Sequence, residues 1–72
     1  MATIDVIRDI LVENLDVDPS IVTEDLTFEQ IDADSLDIVE LVCELEERLD
    51  IDFGEPEGLK NLGDVVKHIE SL

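Results

Sequence analysis

Between Leu36 and Leu49 the apolar residues recur at helical spacing. At about 100° per residue, Ile38, Leu41, Val42, Leu45 and Leu49 fall within one arc of about 80–100°. That stripe is a core face, and it requires other elements to pack against it. Leu36, Val39 and Cys43 lie on a second arc, centred well over 90° from the first. Core packing does not require this second arc. Most of the remaining positions are acidic: Asp37, Glu40, Glu44, Glu46 and Glu47.

The rest of the chain supplies partners for the stripe. Ile4, Val6, Ile7, Ile10, Leu11 and Leu15 predict a first helix from about Thr3 to Leu15, with Thr3 as its N-cap. Asp18-Pro19-Ser20 is the expected stop, because proline disfavours helix at the residue before it. A long connection follows, from Asp16 to Asp34. Val17, Ile21, Leu26, Phe28 and Ile31 within it are expected to tuck into the core one by one. Leu49, Ile51 and Phe53 alternate with Asp50 and Asp52, which predicts an extended connector, and Gly54, Pro56 and Gly58 break the chain. A short helical turn is expected over Glu57 to Asn61. A last helix is expected from about Gly63 to Ser71, with Leu62, Val65, Val66 and Ile69 facing inward. The predicted architecture is all-α: three main helices, one short helix and a long first loop, forming a single domain over residues 1–72.

Composition narrows the function. A chain of 72 residues buries only roughly 60% of its unfolded surface, too little for a deep catalytic cleft. With no Trp, no Tyr and two Phe, the core must be aliphatic. The net charge of −17 opposes binding to nucleic acid or an anionic membrane and attracts basic partners. One cysteine forms no internal disulfide and fits a reducing compartment. No apolar run approaches ~18 residues, and the N-terminal residues lack a signal-peptide order, so the expectation is a cytoplasmic monomer.

The candidate site is Asp34-Ser35-Leu36, at the head of the second helix. A hydroxyl there sits where backbone N–H groups point outward and the helix dipole favours an anion, including a phosphate attached to that hydroxyl. Serine is also favoured at an N-cap for its own sake, and Asp34 is equally eligible as the cap. Leu36, Val39 and Cys43 are ringed by Asp34, Asp37, Glu40 and Glu47. An apolar centre with a charged rim suits a transient docking surface, although scattered surface apolar residues are common. The acids around Cys43 oppose thiolate formation, which favours an inert contact. His68 falls in the last turn of the final helix, where a cation is favoured, and no nucleophile pattern accompanies it. A calcium loop counted from Asp32 would place Asp37 at the position that needs glycine and Cys43 at the one that needs glutamate, so no specific metal site is expected.

Ala33-Asp34-Ser35-Leu36-Asp37, in register with Val39-Glu40-Leu41-Val42 and Leu45-Glu46-Glu47, resembles the acyl carrier proteins over nearly the whole chain. The resemblance implies a four-helix carrier bundle that catalyses nothing. It implies 4′-phosphopantetheine on Ser35, installed from coenzyme A by a phosphopantetheinyl transferase. Acyl groups would ride as thioesters to the acyl-transferring and chain-elongating enzymes of fatty acid, polyketide or related metabolism. Asp34, Leu36, Asp37, Val39, Glu40, Cys43 and Glu47 would meet basic docking patches on those enzymes. The chain departs from the family pattern at Gln30-Ile31-Asp32, where Asp-Leu-Gly is usual, at Cys43 and Glu44, and at Phe53-Gly54-Glu55-Pro56. Both a housekeeping carrier and a carrier dedicated to one pathway fit these changes. D-alanyl and peptidyl carriers are the rivals within the class, and an acidic interaction or inhibitor protein is the rival outside it.

Overall fold

The computed structural model describes residues 2–54 and 58–72. Among these described residues three α-helices carry the fold: α1 (Thr3–Leu15), α2 (Ser35–Leu49) and α3 (Leu62–Glu70). Two single 3-10 turns, Pro19–Ile21 and Glu29–Ile31, lie in the long connection between α1 and α2. This is the expected helical bundle, with α1 packed on both α2 and α3.

The core is aliphatic as composition requires. Ile7, Ile10 and Leu11 of α1 meet Leu41, Val42 and Leu45 of α2 and Leu62, Val65 and Val66 of α3. Ile38, Leu49 and Ile69 pack half-buried at its edge. Each fully buried side chain of this kind is worth about 1.5–3 kcal/mol, whereas a surface ion pair contributes about 0–1 kcal/mol. Arg48 reaches Glu13 of α1 at 2.7 Å and Glu44 of its own helix at 3.4 Å, but the apolar contacts hold α1 to α2.

At the helix boundaries the structure departs from the local signals. α1 begins after Ala2 with no side-chain cap, and Thr3 is its first residue, not its N-cap. It ends at Leu15 as expected, but the stop is the C-cap Asp16, three residues before the proline. Asp16 takes the left-handed conformation (φ 56°), and its N–H donates to the Leu11 carbonyl. Asp50 ends α2 in the same way, and Asp32 makes the same turn ahead of α2. Aspartate tolerates this region better than most residues, so it stands where glycine is commoner. Pro19 instead opens the first 3-10 turn, with the Asp18 carboxylate accepting from the Ser20 N–H and hydroxyl. Those two donors hold the Asp18 carboxyl below its ordinary range.

The long connection is a packed layer. Val17, Val22, Leu26 and Phe28 are buried and Ile31 packs against them, but Ile21 is 47% exposed. The 3-10 turn at Pro19–Ile21 sends Val22 inward in the place expected of Ile21. The layer is tied to the start of α3 by an isolated antiparallel bridge between Thr27 and Asn61. Phe28 N–H donates to the Lys60 carbonyl at 3.1 Å, and Leu62 N–H donates to the Leu26 carbonyl at 3.0 Å. The short helix expected over 57–61 begins outside the described residues. Its described part, 58–61, has a bend at Gly58 and no helix, and ends in Asn61, which forms that bridge. Phe53 in the α2–α3 connector is buried, with its N–H on a Glu46 carboxylate oxygen (3.0 Å) and its carbonyl 2.6 Å from His68 Nε2. That contact occupies His68 structurally.

Candidate functional site

α2 starts with a reciprocal cap built by its own sequence. Asp34 is the N-cap: its Oδ1 accepts from the Asp37 N–H at 3.0 Å, and the Asp37 carboxylate accepts from the Asp34 N–H at 3.2 Å. Such a box satisfies two of the amides that a helix start leaves without partners. Because Asp34 does the capping, the Ser35 hydroxyl takes no part in it. Ser35 is the first helical residue and is exposed. Its own amide and that of Leu36 lie ahead of the first intrahelical bond and face the ground just outside the helix. The structure therefore separates two roles left open by the sequence: Asp34 holds the helix, and Ser35 stands free beside it.

A phosphodiester fits this position chemically. It is an anion on an exposed hydroxyl at the positive end of a 15-residue helix. Asp34 and Asp37 each accept a backbone N–H, which leaves Ser35 clear between them.

The second apolar arc of α2 is on the surface. Leu36 is 71% exposed, Val39 is 44% exposed and Cys43 is exposed. Asp34, Glu40 and Glu47 around them are exposed and Asp37 is half-buried; of the seven residues expected on this face, Val39, Glu40, Cys43 and Glu47 line one groove together. Between α2 and α1 the face dips into an open groove of about 330 Å³, lined by Val39, Glu40, Cys43, Glu44, Glu47 and Asn14. Asn14 joins from α1. No periodic signal pointed to it, because its place depends on how α1 crosses α2.

Next to that groove a cavity of only about 10 Å³ lies between Ile10, Leu11, Asn14 and Leu15 of α1 and Asp37, Glu40 and Leu41 of α2. It is about large enough for one water. An alkyl chain can enter the bundle only if aliphatic side chains repack, which cores of this kind tolerate. Among the described residues no three His, Cys, Asp or Glu side chains gather to hold a metal ion. No described helix is long and apolar enough to cross a membrane.

A family model described as "Phosphopantetheine attachment site" matches residues 5–69, a stretch that includes the whole of this site. Curated relatives match over nearly their full lengths. The chain is 45% identical to an acyl carrier protein of Campylobacter curvus, over 100% of this chain and 97% of the relative. It is 44% identical to one of Sulfurovum sp., with both chains covered completely. It is 39% identical to one of Streptococcus thermophilus, over 97% of this chain and 95% of the relative.

Proposed function

Because this chain belongs to the phosphopantetheine attachment-site family, we propose that Ser35 holds the 4′-phosphopantetheine arm and that the outer face of α2 receives the enzymes the carrier serves. The protein is an acyl carrier, working through a covalently held phosphopantetheine. Residues 1–72 act as one carrier domain and not as a catalyst. The observation that carries the assignment to Ser35 is the division of labour at the helix head, with the cap on Asp34 and a free, exposed hydroxyl next to it.

In the loading step Ser35 Oγ forms a bond to the β-phosphorus of coenzyme A. The bond from that phosphorus to the bridging oxygen breaks, and adenosine 3′,5′-bisphosphate leaves with that oxygen. The Oγ proton passes to a base of the phosphopantetheinyl transferase. The arm, once attached, supplies a terminal thiol that carries acyl groups as thioesters. The chain's own residues then present it. α2 gives the arm a rigid base, and its first-turn amides stabilise the phosphodiester charge. Leu36, Val39 and Cys43 give partners a small apolar contact inside the rim of Asp34, Asp37, Glu40 and Glu47. Rim charges of this kind raise association rates with basic surfaces, and a small apolar centre keeps dissociation fast, as a shuttle requires.

The test is intact mass after incubating the apo protein with coenzyme A and a promiscuous phosphopantetheinyl transferase. One phosphopantetheinyl group should be gained by the native chain and none by Ser35→Ala. A native chain that gains nothing, or a Ser35→Ala variant that still gains one, would overturn the assignment.

A further inference from the structure

We propose that Thr27 and Gln30 are positioning residues for the modification of Ser35, a step that rests on the assignment of Ser35 above. Their side chains and backbones bond reciprocally. Thr27 N–H donates to Gln30 Oε1 at 2.9 Å, and Gln30 N–H donates to Thr27 Oγ1 at 3.2 Å. This is the same reciprocal geometry as the Asp34–Asp37 box, placed one 3-10 turn earlier in the chain. The two boxes act in series along the approach to Ser35.

Between them nearly every backbone amide is committed. Phe28 is buried and its N–H is held by the Lys60 carbonyl. Ile31 N–H donates to the Phe28 carbonyl, Asp32 N–H to the Glu29 carbonyl, and Ala33 N–H to the Phe28 carbonyl. From Thr27 to Asp34 every backbone N–H but that of Glu29 thus has a partner. Asp32 reverses the chain in the left-handed conformation at φ 54°. The next two amides, of Ser35 and Leu36, belong to the open helix head. A segment pinned this completely sets the direction in which α2 offers its first turn.

Gln30 is exposed, so its side chain is not there to fill the core. What it adds is geometry, because its amide oxygen closes the first box. In-line attack at phosphorus needs the serine oxygen placed to within a fraction of an ångström, and a small misplacement of a reacting group lowers the rate steeply. Loosening the first box lets the Asp32 turn and the start of α2 move together. The cost falls on the rate of transfer. Docking rests mostly on Val39, Glu40, Cys43 and Glu47, which lie further along α2 than the turn that loosens.

The experiment follows loading of the full apo chain with coenzyme A and a phosphopantetheinyl transferase under steady-state conditions. Gln30→Ala should lower kcat roughly three- to ten-fold while KM for the carrier stays within about two-fold. Gln30→Glu keeps an acceptor for the Thr27 N–H and should restore kcat. Asp18→Ala removes an exposed side-chain-to-backbone bond of the same kind from the first 3-10 turn, away from the site, and should leave kcat unchanged. Amide exchange at Asp32 and Ala33, whose N–H groups are held by the Glu29 and Phe28 carbonyls, measured without any transferase, should quicken in Gln30→Ala alone. An unchanged kcat or unchanged exchange in Gln30→Ala, a failed rescue by Gln30→Glu, or an equal loss in Asp18→Ala would overturn the positioning role. A native chain that takes no arm would instead overturn the assignment of Ser35, and the exchange measurement would still decide the role of Gln30.

Discussion

α2 and α3 begin with the same device and put it to opposite uses. Each has a reciprocal capping box, Asp34 with Asp37 and Asn61 with Asp64. After the α3 cap the chain turns inward. Leu62 is 0% exposed, its N–H is taken by the Leu26 carbonyl, and the N–H of buried Gly63 is taken by the Glu24 carbonyl at 2.8 Å. A Cβ on Gly63 would sit 3.1 Å from that same carbonyl, so loop and helix meet there with little room. After the α2 cap the chain turns outward. Ser35 and Leu36 occupy the equivalent positions, both exposed, with their amides on the open side. A helix head closed by its own loop is a joint. One whose amides face solvent is a place to hold an anion. The difference lies in what the preceding loop offers, since the caps are alike.

The largest effects should follow that contrast. Leu62→Ala empties a fully buried site and is expected to cost about 2–5 kcal/mol of stability. Leu36→Ala, the substitution at the second helical position of α2, should shift stability by no more than about 0.5 kcal/mol. It should instead weaken complexes with partner enzymes by shortening their lifetime. Denaturant unfolding of both variants, with surface-immobilised binding for Leu36→Ala, checks the pair. Equal stability losses would abolish the contrast between the two helix heads. A smaller effect separates the cap from the rim charge at α2. Asp34→Ala should lose about 1 kcal/mol. Asp34→Asn keeps an acceptor for the Asp37 N–H, should hold its stability, and should slow association with a basic partner at low salt. If Asp34→Asn is as unstable as Asp34→Ala, the carboxylate charge matters beyond its bond.

Much of α2 was legible in the sequence because a single period governs it: the inward stripe, the outward arc and both helix ends follow from residue spacing. The acyl-carrier resemblance rested on the same stretch. Features that depend on contacts between distant segments were not legible. Val22 could not be told from Ile21 as the inward residue, since the choice is made by a 3-10 turn that neither residue encodes alone. Residues 58–61 contain no local signal that Asn61 will pair with Thr27, and in that described part the long-range bridge stands where a helical turn was expected. α3 starts at Leu62, one residue before the expected Gly63, because Asn61 and Asp64 form a capping box there. The Gln30–Thr27 box was hidden as well. Polar residues three apart in a loop are common, and only the folded turn shows that they face each other.

The smallest expected effect concerns acid, and it tests how firmly the α3 joint is closed. The Asp64 carboxylate accepts from the Lys60 N–H at 2.9 Å and from the Asn61 N–H at 3.3 Å. These two backbone donors, the Lys60 one foremost, hold its carboxyl below the ordinary value of 3.8. A carboxyl whose pKa falls on folding favours the folded state wherever it is ionised, fully so above its unfolded pKa. The advantage then fades as pH drops through the lower folded value. Asp64→Asn, which cannot ionise, lacks this contribution. The stability difference between the native chain and Asp64→Asn should therefore be constant from pH 7 down to about 5 and shrink below about 4. Over the same range both proteins should gain stability from the relief of repulsion as other acids among the 21 become protonated. The comparison must accordingly be made as a difference at each pH, by denaturant unfolding. A difference that stays flat to pH 2 would mean that the Asp64 bonds act as neutral geometry, and α3 would then be closed by its buried residues alone.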